Sequence, residues 1–155
     1  MASAMAGCAV ITPANITSTE GAMPAGSAVR MAASAPDGSL RTAFATALEQ
    51  SFQTHGVMLD TDAGMIAEFG IAARSAQTGL ANPDASTPDA IVWESLPAES
   101  HWYNECEVIR LRATMVLLDR EAGTIAYRGV AERDVCSYSQ ADLQQLANLL
   151  VADAL

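Results

Sequence analysis

The sequence predicts an α+β domain: a two-layer sandwich with a mostly antiparallel four-stranded sheet and two helices on one face. Three observations carry this. Between Cys106 and Cys136 apolar residues alternate at period two on both sides of a Gly-containing turn. Leu40, Phe44, Leu48 and Phe52 repeat at four-residue steps. A Ser-x-x-Asp signature at Ser139 opens an apolar stripe that runs to the end of the chain. With every strand apolar on one face, both helices can cover that face, in the order β-α-β-β-β-α.

In chain order, residues 1–26 show no sustained period and are punctuated by Pro13 and Pro24, which reads as a flexible tether. Residues 27–155 form the single domain. Ser27–Ser34 is a short first strand in which Val29 and Met31 flank Arg30. Residues 35–39 break it. The helix from Leu40 takes Ser39 or Asp37 as its N-cap and stops at Gly56, with His55 placed to cap carbonyls. Val57–Leu59 is a brief extended run, and Asp60-Thr61-Asp62 turns the chain. Met65, Ala67, Phe69, Ile71 and Ala73 then alternate with Glu68, Gly70 and Arg74 as a half-buried strand. A long loop at about 77–104 carries Pro83, Pro88 and Pro97 together with Trp93, His101, Trp102 and Tyr103. Such loops are functional or pinned to the core by their aromatics. Trp93, Trp102 and Tyr103 are the candidate partner-binding residues.

The hairpin that follows fixes a register. Ile109 to Leu117 and Ile125 to Val135 place odd-numbered apolar residues on one face, so directly paired residues must share parity. A five-residue turn with a bulge pairs Leu118 with Thr124, sets Arg110 opposite Glu132, and brings Cys106 opposite Cys136. Cross-strand Cβ atoms lie close enough for a disulfide after small adjustment. The expectation is a Cys106–Cys136 bridge, the alternative being two reduced thiols on a strand pair. A bridge requires an oxidising compartment. The last element is a helix with Leu143, Leu146, Ala147, Leu150 and Ala154 on its inner face.

Composition narrows the function. The chain has 155 residues, 31 of them Ala, a net charge of −10 and eight basic residues that are all Arg. That balance argues against nucleic acid and offers no polybasic patch for anionic lipid. No apolar stretch approaches the ~20 residues that span a bilayer. There is no phosphate loop, dinucleotide fingerprint, Cys-x-x-Cys, His-Glu-x-x-His or Gly-x-Ser-x-Gly. His101, Glu105 and Cys106 match no standard zinc spacing, so neither a metal nor a cofactor is expected. No carboxylate pair stands out as a general acid and base. The chain reads as non-enzymatic.

Two resemblances add an address. Met5-Ala6-Gly7-Cys8 resembles the lipobox of bacterial lipoproteins, in which the cysteine thiol carries diacylglycerol. Seven residues precede Cys8 and none is basic, whereas a secretory signal needs a basic start and an apolar core. An upstream start, a trimmed chain and a chance match on an Ala-rich tail are the three readings of that difference. Leu117-Leu118-Asp119, then Gly123 to Ala131 with its Tyr127-Arg128-Gly129-x-Ala131 run, resembles the hairpin of small bacterial envelope lipoproteins of unassigned function. These are similar in architecture to the lipopolysaccharide-assembly lipoproteins that plug an outer-membrane barrel. The resemblance implies a periplasmic accessory or assembly factor, anchored to the outer membrane through Cys8 alone and binding an envelope protein or glycolipid. It brings no catalytic residues. The alternative function is a soluble periplasmic domain that binds a small ligand or glycan through the aromatic loop.

Overall fold

A computed structural model describes residues 12–32, 39–76 and 106–155, and the backbone of 80–81 and 93–95. The elements in order are β1 (Asn15–Gly21), β2 (Val29–Met31), α1 (Leu40–Thr54), β3 (Met65–Ser75), β4 (Leu80–Ala81), β5 (Trp93–Ser95), β6 (Ile109–Asp119), β7 (Thr124–Val135) and α2 (Gln140–Ala154). The main sheet has five strands in the order β1-β7-β6-β3-β2, and β4 pairs with β5 as a separate two-stranded sheet. The domain is α+β with two helices, as its periodicities predict. The four-stranded expectation is corrected to five, and the sheet is mixed. β2 runs parallel to β3 because the helical crossover through α1 returns the chain in the same direction, while the other pairs are antiparallel.

The extra strand lies in what reads as tether. Asn15–Gly21 pairs with Glu132–Tyr127 along the edge of the sheet, so the flexible-tether expectation for 1–26 is corrected over β1. The reason it escapes a pattern reading is burial. Only Ile16 in this strand is even partly covered, so no apolar alternation betrays it. Residues 77–104, expected as loop, contain the short β4–β5 pairing.

One core lies between the sheet and both helices. It holds Phe44, Leu48 and Phe52 from α1, Leu143, Leu146, Leu150 and Val151 from α2, Met65, Ala67 and Phe69 from β3, and Leu111, Ala113, Met115 and Leu117 from β6. Ser39 caps α1 by accepting the Thr42 N–H at 3.1 Å, and Gly56 adopts φ 75° past its end. His55 Nδ1 meets the Ser51 carbonyl at 2.9 Å. The Asp142 carboxylate accepts both the N–H and the hydroxyl of Ser139 at 2.7 Å, closing the start of α2. The two helices contact each other, and Gln144 Nε2 donates to the Ala47 carbonyl at 3.1 Å.

The β6–β7 register differs from expectation by two residues. Asp119 pairs with Thr124, so the turn has four residues rather than five. Ala126 is then bulged between Ile125, opposite Leu118, and Tyr127, opposite Leu117. The two one-residue shifts add, which preserves the parity of the apolar face. Arg110 consequently faces Asp134, not Glu132, and Glu132 faces Arg112. The bulge also turns Ile125 off the core face, where the alternation places it, and leaves it 58% exposed. Cys106 and Cys136 are bonded as expected, with Cα atoms 5.5 Å apart. They reach each other from beyond the last ladder pair, Ile109 with Val135, and not as a cross-strand pair.

Candidate functional site

Among the described residues, the helices cover one face of the sheet and no element covers the other, so that face is where the fold offers side chains to a partner. Registers put it together row by row. At the hairpin-turn end, Arg30, Ile66, Leu118 and Ile125 lie side by side across β2, β3, β6 and β7. The next row is Glu68, Val116, Arg128 and Glu20, with β1 now contributing. At the disulfide end the rows are Ala72, Arg112, Glu132 and Asn15, then Arg74, Arg110 and Asp134. Five of the eight arginines therefore share this face although they are scattered in sequence.

Ion pairs order the disulfide end. Arg110 Nε and Nη2 donate to the two Asp134 carboxylate oxygens at 2.7 and 2.8 Å, a bidentate pair. The guanidinium holds the Asp134 carboxyl below the usual carboxylate range, and Asp134 raises Arg110 in turn. Arg112 Nη1 donates to Glu132 at 2.9 Å. Arg74 faces Arg110 directly and has no ion-pair partner among the described residues. A polar cleft of about 240 Å³ opens here, lined by Thr12, Asn15, Arg110 and Asp134 among others. The hairpin-turn end is different in kind. Ile66, Leu118 and Val116 are half-buried beside the exposed Ile125, an apolar strip with Glu68, Arg30 and Arg128 at its margins.

On the covered face, Arg133 pairs with Asp142 at 3.1 Å and also donates to Gln145, tying β7 to α2. Arg41 sits 4.4 Å from the Phe69 ring centre and donates to the Phe69 carbonyl. These contacts hold the layers together. Among the described residues, no three His, Cys, Asp or Glu side chains converge as metal ligands, and no helix is long and apolar enough to cross a membrane.

Of the residues singled out from sequence, Cys106 and Cys136 form the disulfide. Trp93 falls in β5, whose side chains lie outside the described residues, as do Trp102, Tyr103, His101, Glu105 and Cys8. The apolar strip Ile66–Leu118–Ile125 was not legible, because the bulge that turns Ile125 outward leaves no signal in the alternation. Gly21 is its nearest trace. A Cβ there would stand 2.1 Å from the Ala126 carbonyl oxygen that the bulge pushes toward β1, and Gly21 has φ 75°.

No protein-family model matches the chain, and no curated protein does. Solved structures do resemble it. The PelC dodecamer from Paraburkholderia phytofirmans superposes with a TM-score of 0.56 at 12% identity, covering 91% of this chain and 97% of that one. A single-substitution variant of that dodecamer gives a TM-score of 0.55 with the same identity and coverage. A PDZ domain protein from Parabacteroides distasonis reaches a TM-score of 0.48 at 10% identity, over 35% of its length. At these identities the PelC structures are similar to this chain in fold, and the likeness extends no further.

Proposed function

We propose that this chain is a non-enzymatic periplasmic accessory or assembly protein, tethered to the outer membrane by a lipid on Cys8, that binds an envelope partner through the open face of its sheet. The observation that carries the reading is the Cys106–Cys136 bond. Reducing cytosolic conditions keep thiol pairs open, whereas the periplasm favours disulfides. The lipobox-like Met5–Cys8 points to the same compartment by a separate route. A partner contact at Ile66, Leu118 and Ile125 fits the composition of interface centres, which are apolar within a polar rim. A second copy of the chain is one candidate for that partner, since the PelC structures of similar fold are dodecamers.

The test is mass spectrometry of native protein expressed in a Gram-negative host from its gene together with the DNA upstream of Met1. A diacylglycerol on Cys8 and an intact 106–136 bridge in the non-reducing peptide map are expected. An unmodified Cys8 in protein that partitions into the aqueous phase would remove the anchor. Free thiols at 106 and 136 in freshly trapped cells would remove the periplasmic address. Light scattering of Leu118→Glu beside the parent chain decides whether the strip joins copies of the chain.

A further inference from the structure

The chain enters the domain at a defined place. Thr12 donates its N–H to the Asp134 carbonyl at 3.3 Å, and its hydroxyl accepts the Asp134 N–H at 3.1 Å. Asp134 lies next to the end of β7, opposite Arg110 near the start of β6, and Arg110 in turn faces Arg74. This is the disulfide end of the sheet. Cys8 is four peptide units before Thr12, and four units extend at most about 14 Å. β6 spans Ile109–Asp119, about 35 Å from the disulfide end to the hairpin turn. A group attached at Cys8 therefore reaches the disulfide end easily, and cannot reach the turn unless β1 comes off the sheet.

We infer that the anchored domain keeps its disulfide end nearest the bilayer and presents its hairpin-turn end, residues 119–123 with the Ile66–Leu118–Ile125 strip, to the aqueous space. The inference rests on the reading of Cys8 as the lipidated residue and adds an orientation to it. Reach sets that orientation, and charge does not. Arg74, Arg110 and Arg112 gather at the disulfide end, but Asp134 and Glu132 neutralise two of them. The apolar strip accordingly faces away from the lipid that holds the chain.

Cys8 is the one cysteine outside the disulfide, so a maleimide-headgroup lipid couples the full chain to a nanodisc through that residue. A gadolinium-chelating lipid in the same disc then broadens backbone amide signals according to their distance from the bilayer. Broadening of Thr12, Arg110 and Asp134 is expected to exceed that of Arg120–Gly123 by at least about tenfold, given ends about 35 Å apart. Equal broadening at the two ends, or stronger broadening at the turn, overturns the inference. Inserting about twenty Gly-Ser residues between Cys8 and Thr12 supplies a flexible, longer tether and is expected to bring the contrast toward one. A contrast that survives the insertion shows that reach is not its cause, and also overturns the inference. Because the coupling is chemical, an unlipidated Cys8 in the host removes the anchor reading and leaves this result unaffected, so the two failures are separable.

Discussion

Tyr127 is the largest fully buried side chain among the described residues, and its neighbours show how one residue constrains three elements. Its ring lies over Gly129, two positions along the same strand, so a Cβ on Gly129 would stand 1.9 Å from the phenol oxygen. The hydroxyl donates to Asp153 Oδ2 at 2.8 Å, and the same oxygen accepts the Thr19 hydroxyl at 2.6 Å. One carboxylate on α2 thus joins β7 and β1. Gly129→Ala displaces the ring and its hydrogen bond, and is expected to destabilise the domain by about 2–3 kcal/mol in urea unfolding. Burial first, and then the Asp153 carboxylate, raise the Tyr127 phenol above its ordinary value. A raised folded value means that the stability from this group is fully present below about pH 10. It declines above that pH, because the unfolded phenol ionises first. Tyr127→Phe is expected to be less stable at pH 8 by about 1 kcal/mol, and its stability to fall less than that of the parent between pH 9 and 11. The sequence places Tyr127 and Gly129 on the core face, which is correct. That one lies across the other depends on a rotamer that spacing does not encode.

The hairpin shows what a pattern can and cannot specify in an element. Parity is fixed by which residues are apolar, and it survives here because a shortened turn and a bulge each shift the register by one. The register itself is fixed by turn length and by where a bulge falls, and Asp119-Arg120-Glu121-Ala122-Gly123 is compatible with more than one choice. In the structure the Asp119 carboxylate accepts the Glu121 and Ala122 N–H groups, and Gly123 takes φ 66°, which selects the tighter turn. The disulfide is insensitive to this difference because both cysteines lie past the paired residues. It closes a segment with a sequence separation of 30, and replacing both cysteines by Ser is expected to lower stability by about 2–4 kcal/mol. Equilibrium unfolding of the double variant against the oxidised parent measures it. The first helix was legible from its stripe and cap, and the last from its Ser-x-x-Asp signature. β4 and β5 were not, because two or three residues cannot establish a period.

At the scale of the molecule, the strand order places the two N-terminal strands on opposite edges of the sheet, flanking the β3, β6 and β7 centre. The β2 edge is closed by the chain itself, through Val29 N–H to the Met58 carbonyl at 2.9 Å and Asp60 N–H to the Val29 carbonyl at 3.0 Å. The β7 edge depends on β1. Deleting residues 1–11 keeps the whole of β1 and its pairing with β7, and serves as the reference. Deleting residues 1–21 exposes the 12-residue β7 as an unpaired edge and removes the Thr19–Asp153 bond, so a markedly lower melting temperature and visible aggregation are expected. A calorimetric scan of the two truncations isolates the contribution of residues 12–21. The open face was legible only as the polar half of an alternation. Its grouping of five arginines, and of an apolar strip at one end, depends on which strands are neighbours, and sequence order does not give that.

The β1–β7 pairing also carries a consequence for how the chain reaches its native state. Thr17 and Val130, which it brings together, are 113 residues apart, and contacts of such separation slow folding because a long loop must close before they form. A chain synthesised or exported from its N-terminus delivers β1 first and its partner almost last. Until β7 arrives, β1 has no ladder to join and Cys106 lacks its partner Cys136. The domain therefore completes its edge and its bridge together, at the very end of delivery, and a refolding experiment with an interrupted chain ending before Thr124 should recover neither.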